Sequence, residues 1–175
     1  MEELVLIKPE ENYAEKIAEY RKEFIDAKSS MDGTGVLRHT EDPHEFVKLS
    51  KDYEDPAKVQ EGRVAATQFM FVRKSDDEIV GMIQVRHYLN DYLEKYAGHI
   101  GYSVRPKERR NGYAKEMLKE ALSFCKEIGI EKVLITCDND NIGSEKTILA
   151  NGGVFENEIY EPDEKVYIKR FWINL

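Results

Sequence analysis

The sequence predicts a mixed α/β domain (α+β class) with a central, mostly antiparallel sheet of about seven strands flanked by helices. Three observations lead to this prediction. Short apolar segments typical of strands occur seven times, and amphipathic segments with a helical period lie between several of them. One strand–helix–strand unit spans 98–137 and should be parallel with a right-handed crossover, whereas the strands that follow one another directly should pair antiparallel. The sheet is therefore expected to be mixed, within a single domain covering 1–175.

Strands are predicted where apolar residues alternate or run together and then stop at turn-forming residues. The seven segments are Glu3–Ile7, Ala66–Lys74, Glu78–Tyr88, Gly98–Val104, Lys132–Cys137, Val154–Tyr160 and Lys165–Ile173. The turn residues 75–77 predict a hairpin between the second and third segments. The last two segments are also expected to pair antiparallel.

Three helices are predicted from apolar residues at helical spacing, over Glu11–Lys28, Asn111–Ile128 and Ile142–Ala150. Gly129 is a typical residue at a helix C-terminus. The segment 29–62 has many charges and little periodicity, with a short helix expected near Glu45–Lys51. A segment of this kind is either a binding loop or a plain surface connection, and the sequence leaves both open.

Composition excludes several classes of protein. The apolar fraction of 41% and charged fraction of 34% are typical of a globular domain. The net charge of −8 argues against nucleic acid or an anionic membrane as the main partner. Cys125 and Cys137 are too far apart for a CxxC pair and are expected as reduced core residues. The acidic N-terminal segment lacks the features of a signal peptide. We therefore expect a cytoplasmic protein without a metal, either monomeric or a homodimer.

The stretch GYSVRPKERRNGYAKEML, residues 101–118, carries the chemical signal. A strand ends at Pro106, and the residues that follow lead into a helix whose free N-terminal amides favour an anion. Gly112 allows a ligand to approach the backbone closely, and Arg109 and Arg110 supply charge and phosphate donors. Together these features predict a cradle for a pyrophosphate. The loop is neither a Walker loop, because the GK[ST] ending is absent, nor a dinucleotide GxGxxG motif.

These residues resemble the coenzyme A loop of the GNAT superfamily of N-acetyltransferases, Gln/Arg-x-x-Gly-x-Gly/Ala, at Arg109, Gly112 and Ala114. The family's second feature, N-x-x-A/S before a helix that ends at a glycine, is matched by Asn141 and Ser144, with Gly152 at the expected place. The resemblance covers roughly residues 64–173. It implies a splayed parallel pair of strands and a function as an acetyl-CoA-dependent N-acetyltransferase acting on a primary amine of a small molecule, amino acid or peptide.

The resemblance also implies the residues that would hold the coenzyme. Main-chain groups of the strand end should contact the pantetheine arm, and the loop and the second helix start should contact the rest. The implied set is Ser103, Val104, Arg105, Arg109, Arg110, Asn111, Gly112, Tyr113, Ala114, Asn141 and Ser144. The segment 29–62 and the strands near His87 and Tyr160 would shape the acceptor site.

Acetyl transfer to an alkyl amine needs a base, because the amine is mostly protonated at neutral pH. The candidates are His99 and Asp138, with His87 as a further possibility, since each lies near a predicted strand end beside the expected cleft. A chain of water molecules is the alternative to a single base.

The sequence departs from the family pattern in one place. Related enzymes often have a tyrosine four residues after the A/S position, where it protonates the leaving thiolate, and here that residue is Ile148. Water, Tyr160 or Tyr113 could supply the proton instead. The departure also leaves open a second class of function, a coenzyme A-binding sensor or interaction module with little or no catalysis. A nucleotide-binding regulator is disfavoured because the phosphate-loop lysine is missing.

Overall fold

A computed structural model describes residues 2–175. It contains one seven-stranded sheet in the order β1-β2-β3-β4-β5-β7-β6. The strands are β1 (Leu4–Ile7), β2 (Ala66–Arg73), β3 (Glu78–Arg86), β4 (Ile100–Val104), β5 (Lys132–Asp138), β6 (Val154–Glu161) and β7 (Val166–Asn174). The helices are α1 (Ala14–Asp26), α2 (Pro43–Asp52), α3 (Tyr113–Glu127) and α4 (Ile142–Ala150).

All neighbouring strands are antiparallel except β4 and β5, which are parallel. The pairing of β4 differs sharply on its two sides. It pairs with β3 along its whole length, whereas Ile100 and Ile135 form its only pair with β5 in the strands described. The two parallel strands therefore diverge towards their C-terminal ends. This confirms the predicted mixed sheet and its splayed pair.

Each face of the sheet is covered by helices, and α1 and α3 bury most of the apolar side that their sequence period predicts. On one face α1 and α2 pack through Ile17, Tyr20, Phe24 and Phe46, all fully buried. On the other face α3 packs mainly against β3 and β4. Its inward residues are Met117, Leu118, Ala121, Leu122 and Cys125. Burial of each large side chain contributes about 1.5–3 kcal/mol, so the two layers drive the sheet together.

The predicted helices and strands are confirmed, and the differences at their ends have local causes. The α3 helix begins at Tyr113 rather than Asn111 because Gly112 has a left-handed backbone, with φ of 80°. The β4 strand begins at Ile100 rather than Gly98 because Gly98 has φ of 67°. The first helix starts with a 3-10 turn at Glu11–Tyr13. A π-helical turn at Leu93–Ala97 was not predicted, since nothing in its residue pattern distinguishes it from a loop.

The segment 29–62 lies over the sheet rather than away from it. Gln68 on β2 donates from Nε2 to the carbonyl of Gly33 at 2.7 Å. Gly33 also packs against β4 so closely that a Cβ there would lie 2.3 Å from the carbonyl oxygen of Gly101. A side chain at this position is excluded, and Gly33 with φ of 71° also has the backbone that favours glycine. The segment therefore forms a roof over the middle strands.

No helix within residues 2–175 has the length and apolar content needed to cross a membrane. The same part of the chain contains no group of three or more His, Cys, Asp or Glu side chains placed to hold a metal ion.

Candidate active site

The gap between β4 and β5 exposes main-chain groups. Arg86 donates its N–H to the carbonyl of His99 at 2.7 Å, and Arg105 donates to the carbonyl of Val80 at 2.9 Å. Successive residues of a strand point their main-chain groups to opposite sides. The carbonyl of His99 and the N–H of Arg105 pair with β3, so the main-chain groups of Ser103, two residues before Arg105, also face β3. The groups of Tyr102 and Val104 face the gap. Of the three residues expected to offer main-chain contacts to the coenzyme, Val104 is oriented for it, although its carbonyl already accepts from Arg109 Nε, whereas Ser103 and Arg105 are directed at β3. Tyr102 takes their place.

The Arg105 side chain has a structural role that the sequence did not reveal. It is buried and forms ion pairs with Glu23 of α1, at 2.9 Å, and with Glu78 of β3. A buried cation needs such partners, and here they tie α1 to the sheet edge of the gap.

The loop from β4 to α3 forms a concave run of free amides. Arg110 and Gly112 both have positive φ, of 67° and 80°. Within residues 2–175 no group accepts a hydrogen bond from the main-chain N–H of any residue in 110–115. The helix start has no capping side chain, and the space where a Cβ of Gly112 would lie is open. Free amides at the positive end of a helix dipole are a binding site for an anion such as a pyrophosphate.

The two loop arginines differ in their surroundings. Arg109 folds back towards α1, where Nε donates to the carbonyl of Val104 at 3.1 Å and Nη2 donates to Ser29 Oγ at 2.7 Å. Arg110 is exposed and is in no ion pair among the described residues. Asn111 closes the preceding turn by donating to the carbonyl of Glu108. The main-chain N–H groups and the Arg110 side chain are thus the groups of this loop that are free to donate hydrogen bonds to an anion.

Tyr113 anchors the helix instead of facing the loop. Its ring is buried, and its hydroxyl lies 3.1 Å from Arg73 Nη1 and 2.6 Å from Glu2 Oε2. The hydroxyl is therefore engaged on the β1–β2 side of α3, away from the gap. Ala114, one residue further, is half-buried and adds no side chain that would obstruct the free amides.

The start of α4 closes the far side of the gap. Asn141 caps this helix, its Oδ1 accepting from the N–H of Ser144 at 3.1 Å. The Ser144 hydroxyl lies 2.7 Å from the Tyr102 hydroxyl, so Tyr102 bridges from β4 to the helix that follows β5. Burial raises the pKa of Tyr102 to about 12, so its hydroxyl stays protonated. Sequence analysis missed Tyr102, although its alternation with Ile100 and Val104 places one polar group on an apolar face.

His99 links the two splayed strands at the point where they meet. The ring is buried; Nδ1 accepts from the N–H of Leu134 at 2.9 Å, and the His99 N–H donates to the carbonyl of Leu134 at 2.8 Å. Burial and the neighbouring Arg86 lower its pKa to about 4. A neutral imidazole with one nitrogen accepting carries its proton on the other, so no lone pair is left to deprotonate an amine. The geometry thus favours a structural role.

Asp138 is better placed to act as a base than His99. It ends β5, at the open side of the gap, and its carboxylate is exposed. Partial burial, together with Asp140, Asp32 and Glu164, raises its pKa above the usual range. The third candidate, His87, is bound to Thr67 by a 2.7 Å hydrogen bond between Nε2 and Oγ1.

The role of His99 can be tested through the pH dependence of stability. Below its usual pKa of 6.5 and down to about 4, the unfolded chain binds a proton at this ring and the folded chain does not. The contribution of the neutral His99 ring to the free energy of unfolding is fully present above pH 6.5 and is lost as the pH falls towards 4. The free energy of unfolding should drop with a slope of up to about 1.4 kcal/mol per pH unit. The variant His99→Asn keeps an acceptor for Leu134 and should remove this part of the slope.

Urea denaturation at several pH values gives the measurement. The control His39→Asn removes an exposed histidine and should keep the wild-type slope. An unchanged slope in His99→Asn would show that the ring becomes charged inside the folded protein.

A cavity of about 500 Å³ lies on the α1–α2 face beside β4. Its floor consists of two cross-strand pairs, Ala66 with Arg86 and Gln68 with Gln84. The roof is the 31–39 part of the segment described above, and 90–97 forms a side wall. A second concavity of about 550 Å³ lies between 91–96 and the β6–β7 pair, is more open, and has no residue of β2, β3 or β4. The first cavity is therefore the candidate for an acceptor site.

Comparison with known proteins agrees with this architecture. The family model described as Acetyltransferase (GNAT) family matches residues 33–150. The uncharacterized N-acetyltransferase YjdG of Bacillus subtilis (strain 168) is 25% identical over 103 residues, which is 58% of this chain and 60% of YjdG. This chain therefore matches YjdG over less than two thirds of that protein's length.

Solved structures share the fold at low sequence identity. RimJ of Mycobacterium smegmatis in complex with CoA-disulfide superposes with a TM-score of 0.71 at 17% identity, covering 98% of this chain and 81% of RimJ. The ribosomal-protein-S5-alanine acetyltransferase of Vibrio fischeri gives 0.69 at 18% identity, with 98% and 91% covered. YncA of Salmonella typhimurium with acetyl-CoA gives 0.68 at 8% identity, with 98% and 94% covered. With the family model matching more than half of the sequence, the chain belongs to the GNAT family of acetyltransferases.

Proposed function

We propose that this protein is an N-acetyltransferase that transfers the acetyl group of acetyl-CoA to a primary amine of a small molecule, amino acid or peptide. The observation that carries the proposal is the run of free amides at 110–115, which opens at the end of the splayed β4–β5 gap. A diphosphate fits the amides, and an extended arm with amide groups fits the unpaired strand. The coenzyme bound to two of the structural relatives, acetyl-CoA in YncA and CoA-disulfide in RimJ, has both parts.

The residues of the gap can support the transfer step. Main-chain groups of Tyr102 and Val104 would hold the pantetheine arm, and an N–H of this strand would stabilise the negative charge on the thioester oxygen as the amine attacks. Asp138 would accept a proton from the amine, directly or through water. Asn141 and Ser144 would lie against the coenzyme at the start of α4.

Binding to the folded state predicts stabilisation by acetyl-CoA. At a concentration one hundred times the dissociation constant, the free energy of unfolding should rise by about 2.7 kcal/mol. For a domain of this size that corresponds to an increase in melting temperature of roughly 5–10 °C. Thermal denaturation with increasing acetyl-CoA measures the shift, and coupled detection of the free thiol across an amine library measures transfer.

The results separate the two classes of function. A shift together with amine-dependent thiol release supports the enzyme. A shift without release from any amine supports the sensor, the alternative favoured by Ile148 in place of the family tyrosine. The absence of a shift at millimolar acetyl-CoA, with the protein folded, would contradict both.

A further inference from the structure

The acceptor cavity contains a cation without an anionic partner. Arg86 stands on its floor, partly buried, and Nη1 donates to the carbonyls of Ala97 and Gly98 at 3.3 and 3.1 Å. Within residues 2–175, no carboxylate lies within ion-pair distance of this guanidinium, and its Nε and Nη2 donate to no protein group. Burial lowers the pKa of Arg86, and the charge of Asp32, which lies beyond ion-pair distance, opposes this shift; arginine remains charged in proteins. Buried charges are normally paired, so this one lacks a partner that a ligand could supply.

The charge of the whole cavity is positive although the protein is acidic. Arg38 and Arg63 lie at its rim, also without ion pairs among the described residues, and Asp32 is its one acidic lining residue. Three arginines against one aspartate stand out in a chain of net charge −8. The local field favours an anionic ligand.

A second unsatisfied group lies on the same floor. Gln68 is 3% exposed, and its Oε1 has no hydrogen-bond partner among the described residues. Gly35 covers this oxygen and the Gln84 amide so closely that a Cβ on Gly35 would lie 3.0 and 2.9 Å from them. The oxygen is buried beneath Gly35, so a ligand in the cavity would reach it only if the roof segment moved, and Arg86 is the polar group of the floor that a ligand can contact directly.

The position of Arg86 relates this site to the gap. A Cβ on Gly101 would lie 3.5 Å from Arg86 Nη2, so the guanidinium rests against β4. Gly101 lies between Ile100, the last residue paired with β5, and Tyr102, the first whose main chain faces the gap. An anion bound to Arg86 is therefore only one or two residues from the place where the thioester would lie.

We propose that the acceptor is a small amine with a carboxylate near its amino group, of the amino-acid type, and that Arg86 binds the carboxylate. This inference rests on the proposed acetyltransferase function. The carboxylate accepts hydrogen bonds from Nη2 and Nε, and the amine of the same molecule faces the gap. The neutral amine attacks the thioester carbonyl and a C–N bond forms. The C–S bond then breaks, its electron pair stays on sulfur, and the amine proton leaves to the base or to water.

The test compares amino acids with their α-carboxamides, which keep the amine and side chain but lose the negative charge. For the wild-type protein, we expect kcat/KM for the best amino acid to exceed that for its amide by about ten- to a hundredfold, the scale of hydrogen bonds to a charged group. Arg86→Gln should abolish this ratio, and Arg86→Lys should retain part of it. Lys16→Gln is the matched control, since Lys16 also donates to two main-chain carbonyls, those of Asp76 and Asp77, and lies away from the cavity and its roof. Its ratio should equal that of the wild type.

Binding is measured in parallel by saturation-transfer NMR with the same amino acids and amides in the presence of coenzyme A. Transfer to amines with equal or greater preference for amides overturns the carboxylate inference and leaves the acetyltransferase proposal standing. A third outcome is that amino acids bind to the wild type but not to Arg86→Gln, and that no amine is acetylated. This outcome supports the carboxylate site and contradicts the acetyltransferase proposal. The inference is overturned if no carboxylated amine binds and none is acetylated.

Discussion

Replacing Gly112 with valine should weaken acetyl-CoA binding by about a hundredfold or more. Gly112 has φ of 80°, a conformation that a β-branched residue adopts only with strain. A valine would rotate the loop out of this conformation and turn the free N–H groups of 110–115 away from a common centre. Losing one or two hydrogen bonds to a diphosphate, at about 1.5–3 kcal/mol each, accounts for an effect of this size.

The variant Gly129→Val provides a matched control at the other end of the same helix. Gly129 has φ of 86° and, like Gly112, nothing within 4 Å of where its Cβ would lie. The strain and the open space are therefore the same, while the coenzyme loop is untouched. Isothermal calorimetry should show normal acetyl-CoA affinity for Gly129→Val, and both variants should have similar melting temperatures. Equal affinities in the two variants would place the phosphates elsewhere.

Alanine substitutions of the two loop arginines show which of these side chains contacts the phosphates. We expect Arg110→Ala to weaken acetyl-CoA binding more than Arg109→Ala, because Arg109 already donates to Val104 and Ser29 whereas Arg110 is free. Loss of the Arg110 contact should cost about 1.5–3 kcal/mol at low salt, and calorimetry at two salt concentrations measures it. A larger loss in Arg109→Ala would show that this side chain swings out to the phosphates.

The elements of the fold were predictable because each has a local cause. The strand β5 is a continuous apolar run, α3 has its apolar residues at helical spacing, and α4 ends at Asn151-Gly152 as its sequence indicates. The free amides of the loop before α3 were also predictable, since a glycine between a strand and a helix start has a direct physical meaning; that the loop binds the coenzyme stays a prediction. These features depend on neighbours within a few residues in the chain.

The acceptor side was not predictable for the opposite reason. Arg86 was not predicted as a site residue, because a single arginine at a strand end is normally a solvated charge. The sequence does not show that the 29–62 segment covers it. The direction of the main-chain groups at Ser103 and Arg105 depends on the register between β3 and β4. A shift of one residue would exchange them with Tyr102 and Val104. Pairing register and burial by distant segments have no local sequence pattern.

Ile148, in place of the family tyrosine, is part of the core. Its side chain is fully buried, and a Cβ on Gly153 would lie 2.4 Å from Ile148 Cγ2. The substitution Ile148→Tyr would restore the family residue but would place a larger ring at this buried position. The packing leaves no room for that ring, and overpacking of this kind typically costs about 1–3 kcal/mol. Of the other tyrosines, Tyr113 is engaged by Glu2 away from the gap and Tyr160 is an exposed residue of β6, whereas the Tyr102 hydroxyl lies across the gap.

Replacing Tyr102 with phenylalanine should lower kcat by about a hundredfold, the lower end of general acid catalysis. The Tyr102 hydroxyl bridges the gap to Ser144, so a thioester held between β4 and α4 would have its sulfur close to this group. Its pKa of about 12 keeps the hydroxyl protonated at neutral pH, so it can donate a hydrogen bond to the sulfur as negative charge builds up there and the C–S bond breaks. The effect is expected at the lower end because a thiol with a pKa near 8.5 can leave without complete protonation.

The signature of this role is a loss in kcat at unchanged acetyl-CoA affinity. Tyr20→Phe is the control, since Tyr20 is a buried tyrosine that bonds the neighbouring residue Ser103 from the opposite face of the sheet. Both variants lose one buried hydrogen bond and should be destabilised by a similar 1–2 kcal/mol or so, but Tyr20→Phe should keep its turnover. Ser144→Ala leaves the Tyr102 hydroxyl only its 3.4 Å hydrogen bond to the Ser144 carbonyl and should give an intermediate kcat, because the ring is then held less firmly across the gap. Equal turnover in Tyr102→Phe and Tyr20→Phe would assign the proton to water, and the Tyr102 hydroxyl would then serve only to join β4 to α4.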